Sequence, residues 1–540
     1  MKRKRYFLST ACAILCLVIV VAVIVINGLG HSHAATGPTT TGKEAPPSPS
    51  AVVDGNIYYG SDATSSYALN TRTGALLWRY QVSGRVTSSV FNRVQHIVYM
   101  GSTKNTVYAL NSSTGSLLWQ YHVYSTVTLW PAPIINSILY LGTTKGIYAL
   151  SASHGQVLWH YTAGPNTSID WKWSIVNGAV YFVSSDGIVH ALTASDGARL
   201  WQQPLGISGS ISSVVNGVVY VITNNQYPIV DSAIYALSVT GGSLLWHYTM
   251  LYTREGGGAS LTFVKDRLYA IAYLGHGSSD LSVLDAATGT LIWPKQQGSD
   301  SGPLLELRPF TILHGVMYLN TYFTVYAVRV SDGTTLWTYH PSDDVAKMIV
   351  ANNMVYLHHG IYESGPITAH RATDGTLLWS YQPQDPSSML SIVNGVIYAV
   401  SSNNIYTINV SNGTLLWNYA AAAGVIGIIN GVVYLYDWNT STFFALNAST
   451  GTTLWSHAAA AAGISIINGV LYFYDVNTST FFALNASTGS ILWSHVLSKS
   501  KVYRVQMVIK GVVYVQSNYN DIYAFDSSTG TLLWRYPTGS

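Results

Sequence analysis

The stretch Leu357-His358-His359-Gly360-Ile361-Tyr362-Glu363 sets two imidazoles side by side and a carboxylate close after them. Imidazole and carboxylate are ordinary metal ligands, but they make a site only where a fold gathers more of them. The run reads first as a surface loop and only second as a metal site. A second candidate is aromatic. Trp130 stands in Thr-Leu-Trp-Pro-Ala-Pro, and Trp171 and Trp173 stand in Ile-Asp-Trp-Lys-Trp-Ser with Asp170 and Lys172 interleaved. On an extended strand residues 171 and 173 share one face. That face is either buried core or an aromatic surface that stacks a sugar or a peptide. Arg254, Glu255, Glu306 and Arg308 lie in long polar stretches and could add charged contacts, Arg308 foremost. Gly37 to Lys43 has the G-x-x-x-x-G-K spacing of a phosphate-binding loop. That loop needs a strand before it, a helix after it and Ser or Thr next to the lysine. Glu44 and two prolines follow instead, which removes nucleotide chemistry. His31 and His33 have no further ligands to join.

The remaining composition excludes more than it offers. Acidic residues number 23 in 540. Several of them, Asp285, Asp332, Asp374 and Asp526, fall at turns, and none form a calcium-loop spacing. The motifs G-x-S-x-G, H-E-x-x-H and G-x-G-x-x-G are missing from the sequence, and with them the nucleophile elbow, the zinc helix and the dinucleotide turn. The two cysteines, Cys12 and Cys16, both lie in the N-terminal apolar run. The body of the chain therefore carries neither a disulfide framework nor a thiolate metal site. Net charge is +3, and four cations sit at residues 2–5, so no basic field addresses nucleic acid. Charged residues make up 9% of the chain, against a usual ~25%. With 39 tyrosines and 16 tryptophans, the composition is that of a folded β protein with a neutral polar surface.

The elements that would position these residues divide into four segments. Residues 1–5 are a basic, cytoplasmic n-region. Residues 6–28 read as a transmembrane signal anchor: Phe7 to Ile26 is uncharged and apolar but for Ser9 and Thr10, and about twenty residues span a bilayer core of about 30 Å. Cations before the run and none soon after it place the rest of the chain outside the cytoplasm. Ser32-His33-Ala34 is a small-x-small cleavage signal, and cleavage after Ala34 would secrete the protein. The run is longer than the roughly 7–15 apolar residues of a signal peptide, which favours an uncleaved anchor. Residues 29–50 are a Pro/Thr/Ser linker. Residues 51–540 are periodic.

The period is marked by a tryptophan after a Gly-containing turn: Trp78, Trp119, Trp159, Trp201, Trp246, Trp293, Trp337, Trp379, Trp417, Trp455, Trp493 and Trp534. Spacings run from 38 to 47 residues, the length of a propeller blade. Within each unit a short apolar segment leads to a turn, often Asn-Gly, then to a β-branched run, then to "YAL" or "FAL", then to "LLW". Asn-Gly between β-rich runs signals a hairpin, because both central residues take positive φ. Four short antiparallel strands per unit predict an all-β propeller of about twelve repeats behind one transmembrane helix. The pairs Asn216-Gly217, Asn394-Gly395, Asn430-Gly431 and Asn468-Gly469 carry the hairpin signal. Asn-x-Ser/Thr triplets such as those at Asn447 and Asn485 read as turn chemistry.

The pattern A-x-[DN]-x-x-T-G-x-x-x-W resembles the tryptophan-docking repeat of PQQ-repeat, quinoprotein-like β-propellers. Ala68, Asn70, Thr73, Gly74 and Trp78 match it, as do Ala445, Asn447, Thr450, Gly451 and Trp455. Degenerate units put Val283 or Thr407 for the alanine and Arg329 or Arg371 for the Asp/Asn. The resemblance implies that each Trp packs on the neighbouring blade. It also raises a chemistry. The quinone-binding members stack PQQ between a Trp and, in the alcohol dehydrogenases, a vicinal disulfide, beside a Ca²⁺ held by Glu, Asn and Asp. This sequence lacks the vicinal cysteines and such a cluster. The expectation is a membrane-anchored, extracytoplasmic binding or scaffold module for proteins or cell-surface glycans, without a cofactor. A PQQ-dependent oxidoreductase is the alternative. Trp130, Trp171, Trp173 and Arg308 are the candidate ligand residues. One large ring is favoured over two smaller rings or an open array.

Overall fold

The computed structural model describes residues 52–537 except 55–56, 93, 126, 129–133, 165–166, 170–171, 225–231, 251–258, 276–277, 294–309, 321–323, 361–364, 386, 402, 498–501 and 518–520. The expected n-region, anchor and linker lie outside them. Among the described residues there are twelve antiparallel sheets and no helix able to cross a membrane.

Each sheet is a meander whose strands pair in chain order. Blade ten is typical: Ala423–Ile429, Val432–Asp437, Thr442–Asn447 and Thr453–Ala458. The first hairpin turns at Asn430 and Gly431, with φ of 50° and 78°. The Asn-Gly pairs at 216, 394 and 468 take the same left-handed pair of angles. So do Asn136-Ser137, His314-Gly315, Asn352-Asn353 and Lys510-Gly511. Position in the repeat thus imposes this turn even where the favourable residues are missing.

Two blades depart from the meander. In blade three the first strand is split, and Val127–Thr128 and Ile134–Ile135 both pair with Ile138–Thr143. Blade six has three strands, and its fourth position is held by a bridge from Leu284 to Leu291.

First strands of neighbouring blades lie against each other, as Ala423–Ile429 does against Ala461–Ile467. They are therefore innermost. Fourth strands form the rim: in Leu76–Gln81 only Trp78 is buried, while Leu76, Leu77, Arg79 and Gln81 are exposed. The meander then gives the ring two faces. Turns between strands one and two and between three and four share one face. Turns between strands two and three share the other with the links from blade to blade, and it is called the link face below.

The hydrophobic core sits between blades. Tyr398, Ile405 and Trp417 of blade nine pack with Val433, Leu435 and Leu446 of blade ten. Each indole N–H of the twelve repeat tryptophans donates to a backbone carbonyl in the third-to-fourth-strand turn of the next blade, at 2.7–3.2 Å. The series is cyclic. Trp78 reaches Ser112 O, Trp493 reaches Ser527 O, and Trp534 of blade twelve reaches Thr71 O of blade one. Tyr58 also stacks on Tyr514 at 5.3 Å and donates to Gln506 Oε1 at 2.7 Å. The twelve blades form one closed ring, with no strand exchanged across the joint between last and first.

The glycine of each turn explains how the indoles fit. These twelve glycines have φ of 66–73°, and a Cβ on any of them would lie 2.2–2.8 Å from the preceding blade's indole. The indole lies flat on bare backbone. Gly451→Ala therefore meets two penalties, about 1–2 kcal/mol for a left-handed alanine and about 1–3 kcal/mol for overpacking against Trp417. Gly431 has φ of 78° but nothing within 4 Å of its would-be Cβ, so Gly431→Ala meets only the first penalty. Urea midpoints should fall clearly further for Gly451→Ala than for Gly431→Ala; equal losses would show that the glycine serves the turn alone. Trp493, 6% exposed, should cost about 3–5 kcal/mol when cut to alanine, and an unchanged melt would contradict its burial.

Candidate functional site

The repeat positions most of its polar side chains for structure. Asn70 Oδ1 accepts from the N–H groups of Arg72 and Thr73 at 2.9 and 3.0 Å, and Asn447 does the same for Ser449 and Thr450. Asp526 fills this place in blade twelve, where the Ser528 hydroxyl and the Thr529 N–H hold its carboxyl down to about 2. Where Arg329 or Arg371 replaces the Asp/Asn, the cap moves along the turn: Asp332 and Asp374 accept from Thr334 and Thr376, and pair with those arginines at 3.0 and 2.7 Å. The turn aspartates are thus committed to the backbone.

Of the sixteen tryptophans, the twelve at the period stand between blades as described. All are 1–9% exposed except Trp455, which is partly buried. Trp130, Trp171 and Arg308 lie outside the described residues, as do Arg254, Glu255, Glu306 and Glu363. Trp173 is not on a strand, because the first strand of blade four begins at Ser174. Trp173 stands just before it, half-buried against the cluster that holds Tyr140, Ile169 and Phe182. A Cβ on Gly142 of blade three would lie 2.4 Å from its Nε1, so this indole fills the joint between blades three and four. Trp438 differs from all of these. It is 61% exposed, on the link-face turn of blade ten.

His358 and His359 are not in a surface loop. They end the strand Met354–His359 and are 1% and 3% exposed. The reading as a loop failed because Gly360 marks the end of the strand, while the two imidazoles point to opposite joints of blade eight. His359 Nε2 meets Thr368 Oγ1 at 2.9 Å, and Thr368 Oγ1 meets His370 Nε2 at 3.0 Å. His358 Nε2 is buried without a hydrogen-bond partner. A comparable network in blade four ties His190 to Ser184, Tyr161 and Gln202. Among the described residues no three His, Cys, Asp or Glu side chains gather as a metal site.

A family profile described as outer membrane protein assembly factor BamB (PQQ_2) matches residues 33–171, 133–339, 277–427 and 439–540. The chain belongs to this family. Its relatives carry different names. The chain is 24% identical over 316 residues to tetrathionate hydrolase of Acidithiobacillus ferrooxidans, covering 55% of this chain and 58% of that protein. It is 27% identical over 210 residues to the assembly factor BamB of Yersinia pestis, covering 36% and 48%. The dehydrogenase subunit of a quinone alcohol dehydrogenase from Gluconobacter oxydans matches at 25% over 154 residues, 26% of this chain and 20% of that one. The chain thus spans about half the length of the first two relatives. The solved BamB of Moraxella catarrhalis aligns at 16% identity and a TM-score of 0.28, over 68% of this chain and 94% of that one.

The quinone site some members carry can be tested against the residues present. Among the described residues of the innermost strands the one carboxylate is Asp54. Those strands otherwise offer Ser, Thr, Gly, Ala, aliphatic and aromatic side chains, the amides of Asn92 and Gln506, and Lys347 as a cation. A divalent cation needs several hard oxygen ligands, carboxylates chief among them. This donor set does not fit a quinone held by Ca²⁺.

Burial leaves a pH signature. It pushes His190, His358 and His359 down to about 4, with the neighbouring His359 adding to the effect at His358 and His370 at His359. Their unfolded value is about 6.5. A folded value below the unfolded one means that the neutral form is favoured in the fold. Stability is then full above about pH 6.5, falls as pH drops toward 4, and loses nothing more from these groups below that. Urea midpoints between pH 7 and 4 should decline, and the decline should shrink in His359→Asn/His370→Asn. A flat profile would contradict the burial of these rings.

Proposed function

We propose that this chain is a membrane-anchored, extracytoplasmic binding scaffold whose ligands are proteins, and that it works without a cofactor. One observation carries this reading: a closed ring of twelve blades whose innermost strands, where described, hold a single carboxylate. A ring of this kind offers two broad faces and an inner wall whose described side chains are mostly neutral. Among the described residues no three His, Cys, Asp or Glu side chains gather as a metal site. Membership of a family described as an outer membrane assembly factor supports a protein-binding role. The apolar run Phe7–Ile26 and the cysteine-free body support placement outside the cytoplasm.

The oxidoreductase alternative has a direct test. The full chain, incubated with PQQ and CaCl₂ and then desalted, should retain no quinone absorbance and reduce no artificial dye with alcohols or sugars. Stoichiometric quinone with dye reduction would overturn the scaffold reading. Placement has its own test, helped by the absence of cysteine after residue 16. A cysteine at the exposed Ser449 (Ser449→Cys) should react with a membrane-impermeant maleimide in intact cells, or in spheroplasts if an outer envelope blocks the reagent. Labelling only after lysis would put the propeller in the cytoplasm.

A further inference from the structure

Blades ten and eleven are near-duplicates, and one of their differences stands on the link face. In blade ten the turn after the second strand reads Asp437-Trp438-Asn439-Thr440-Ser441, and in blade eleven Asp475-Val476-Asn477-Thr478-Ser479. The two turns are built alike. Asp437 Oδ1 accepts from Asn439 N–H at 3.0 Å and Oδ2 from the Thr440 hydroxyl at 2.7 Å. Asp475 makes the same two bonds, at 3.0 and 2.7 Å. Ser441 and Ser479 both take positive φ. The turn therefore does not require the indole, because its twin closes in the same way around a valine.

A second position differs alongside it. Gly424 pairs with Tyr436 in blade ten, and Ala462 pairs with Tyr474 in blade eleven. A Cβ at 424 would stand 3.4 Å from Trp438 Nε1, so the indole lies close beside Gly424 with room for no more than a methyl in contact. Its other support is Tyr436, edge-on at 4.6 Å and 82°. Tyr436 is itself fixed, donating to Ala459 O and accepting from Ala461 N–H, both at 3.0 Å. The Trp438 backbone N–H donates to Ala422 O at 2.9 Å, as the Val476 backbone N–H does to Ala460 O at 2.8 Å, so this bond fixes the turn in both blades. Blade ten thus holds a large aromatic ring in place and leaves it 61% exposed, where its twin tucks a half-buried valine.

The surroundings select what such a ring can hold. From residue 386 to 498 the sequence contains no Lys, Arg or Glu, and its two aspartates are Asp437 and Asp475. Both are buried and bonded within their own turns. This sector has no free charge for a nucleic acid, a phosphate or an acidic glycan. Asn439 and Thr440, exposed beside the indole, offer amide and hydroxyl groups instead. A flat apolar ring with a neutral hydrogen-bonding rim suits the C–H face and hydroxyls of a pyranose. A rigid platform also spares the entropy of ordering a side chain on binding.

We propose that Trp438, seated beside Gly424, is the stacking platform of a subsite for neutral polysaccharide on the link face. The inference goes beyond the protein-scaffold reading and stands or falls separately from it. The test is native affinity electrophoresis of the full chain in a sugar-free zwitterionic detergent. The gels contain hydroxyethyl cellulose, dextran, galactomannan or arabinoxylan. At least one gel should retard the parent, and Trp438→Val should weaken that retardation at least tenfold with an unchanged melt. Val476→Trp combined with Ala462→Gly should strengthen it by building a second platform in blade eleven. No retardation of the parent in any gel, or equal retardation of Trp438→Val, overturns the subsite. So does a Trp438-dependent affinity for a proline-rich peptide without any for the polysaccharides, which would make the platform a protein contact.

Discussion

An indole lying on a glycine holds this ring together. Each blade is a four-stranded meander too thin to enclose a core, so it must bury its faces against its neighbours. The joint does this with three linked requirements. The turn must be left-handed at the glycine, the glycine must lack a Cβ, and a carbonyl must face the indole N–H. An aromatic of this size buries about 150–250 Å², or about 4–6 kcal/mol at ~25 cal/mol/Å². Because the contact recurs at every joint, including the one between Trp534 and Gly74, the ring closes without swapping a strand. Much of the sequence is occupied by this demand, and it leaves few positions for chemistry.

The fold was legible because the period is local. Trp follows Gly at a fixed distance in each unit, and Asn-Gly marks the hairpins, so strands and blades could be counted along the chain. The number of rings was not legible. It depends on Tyr58 meeting Tyr514 and on Trp534 meeting Thr71, and no local pattern records a contact between the ends. The glycine's role was only half visible. Its need for positive φ shows in the turn pattern, but the indole beneath it comes from a different blade. Hairpins at His314-Gly315 and Lys510-Gly511 escaped notice because strand pairing, rather than residue preference, sets their angles. The histidine pair was misread for a similar reason. His358 and His359 look like a loop beside Gly360, yet the strand runs to its end and buries both.

The candidate site followed the same logic. Sequence singles out tryptophans that break the period, but it does not say which of them face water. Trp173 turns into a joint, where Gly142 leaves room for its indole, and Trp438 stands out to solvent on a link-face turn. Duplication makes the second case readable. Two blades that agree in nearly every structural residue isolate the positions free to change. One of them, Trp438 against Val476, sits in a link-face turn that closes alike around either side chain. The joints fix the structure, and the link-face turn of blade ten is left free to carry the proposed platform.

The central claim is that twelve equivalent joints close one ring. Class averages of the purified chain by electron microscopy, viewed down the axis, test it most directly. Twelve radial blades around one central opening are expected. Two smaller rings, or an open arc with a gap between blades one and twelve, would contradict it.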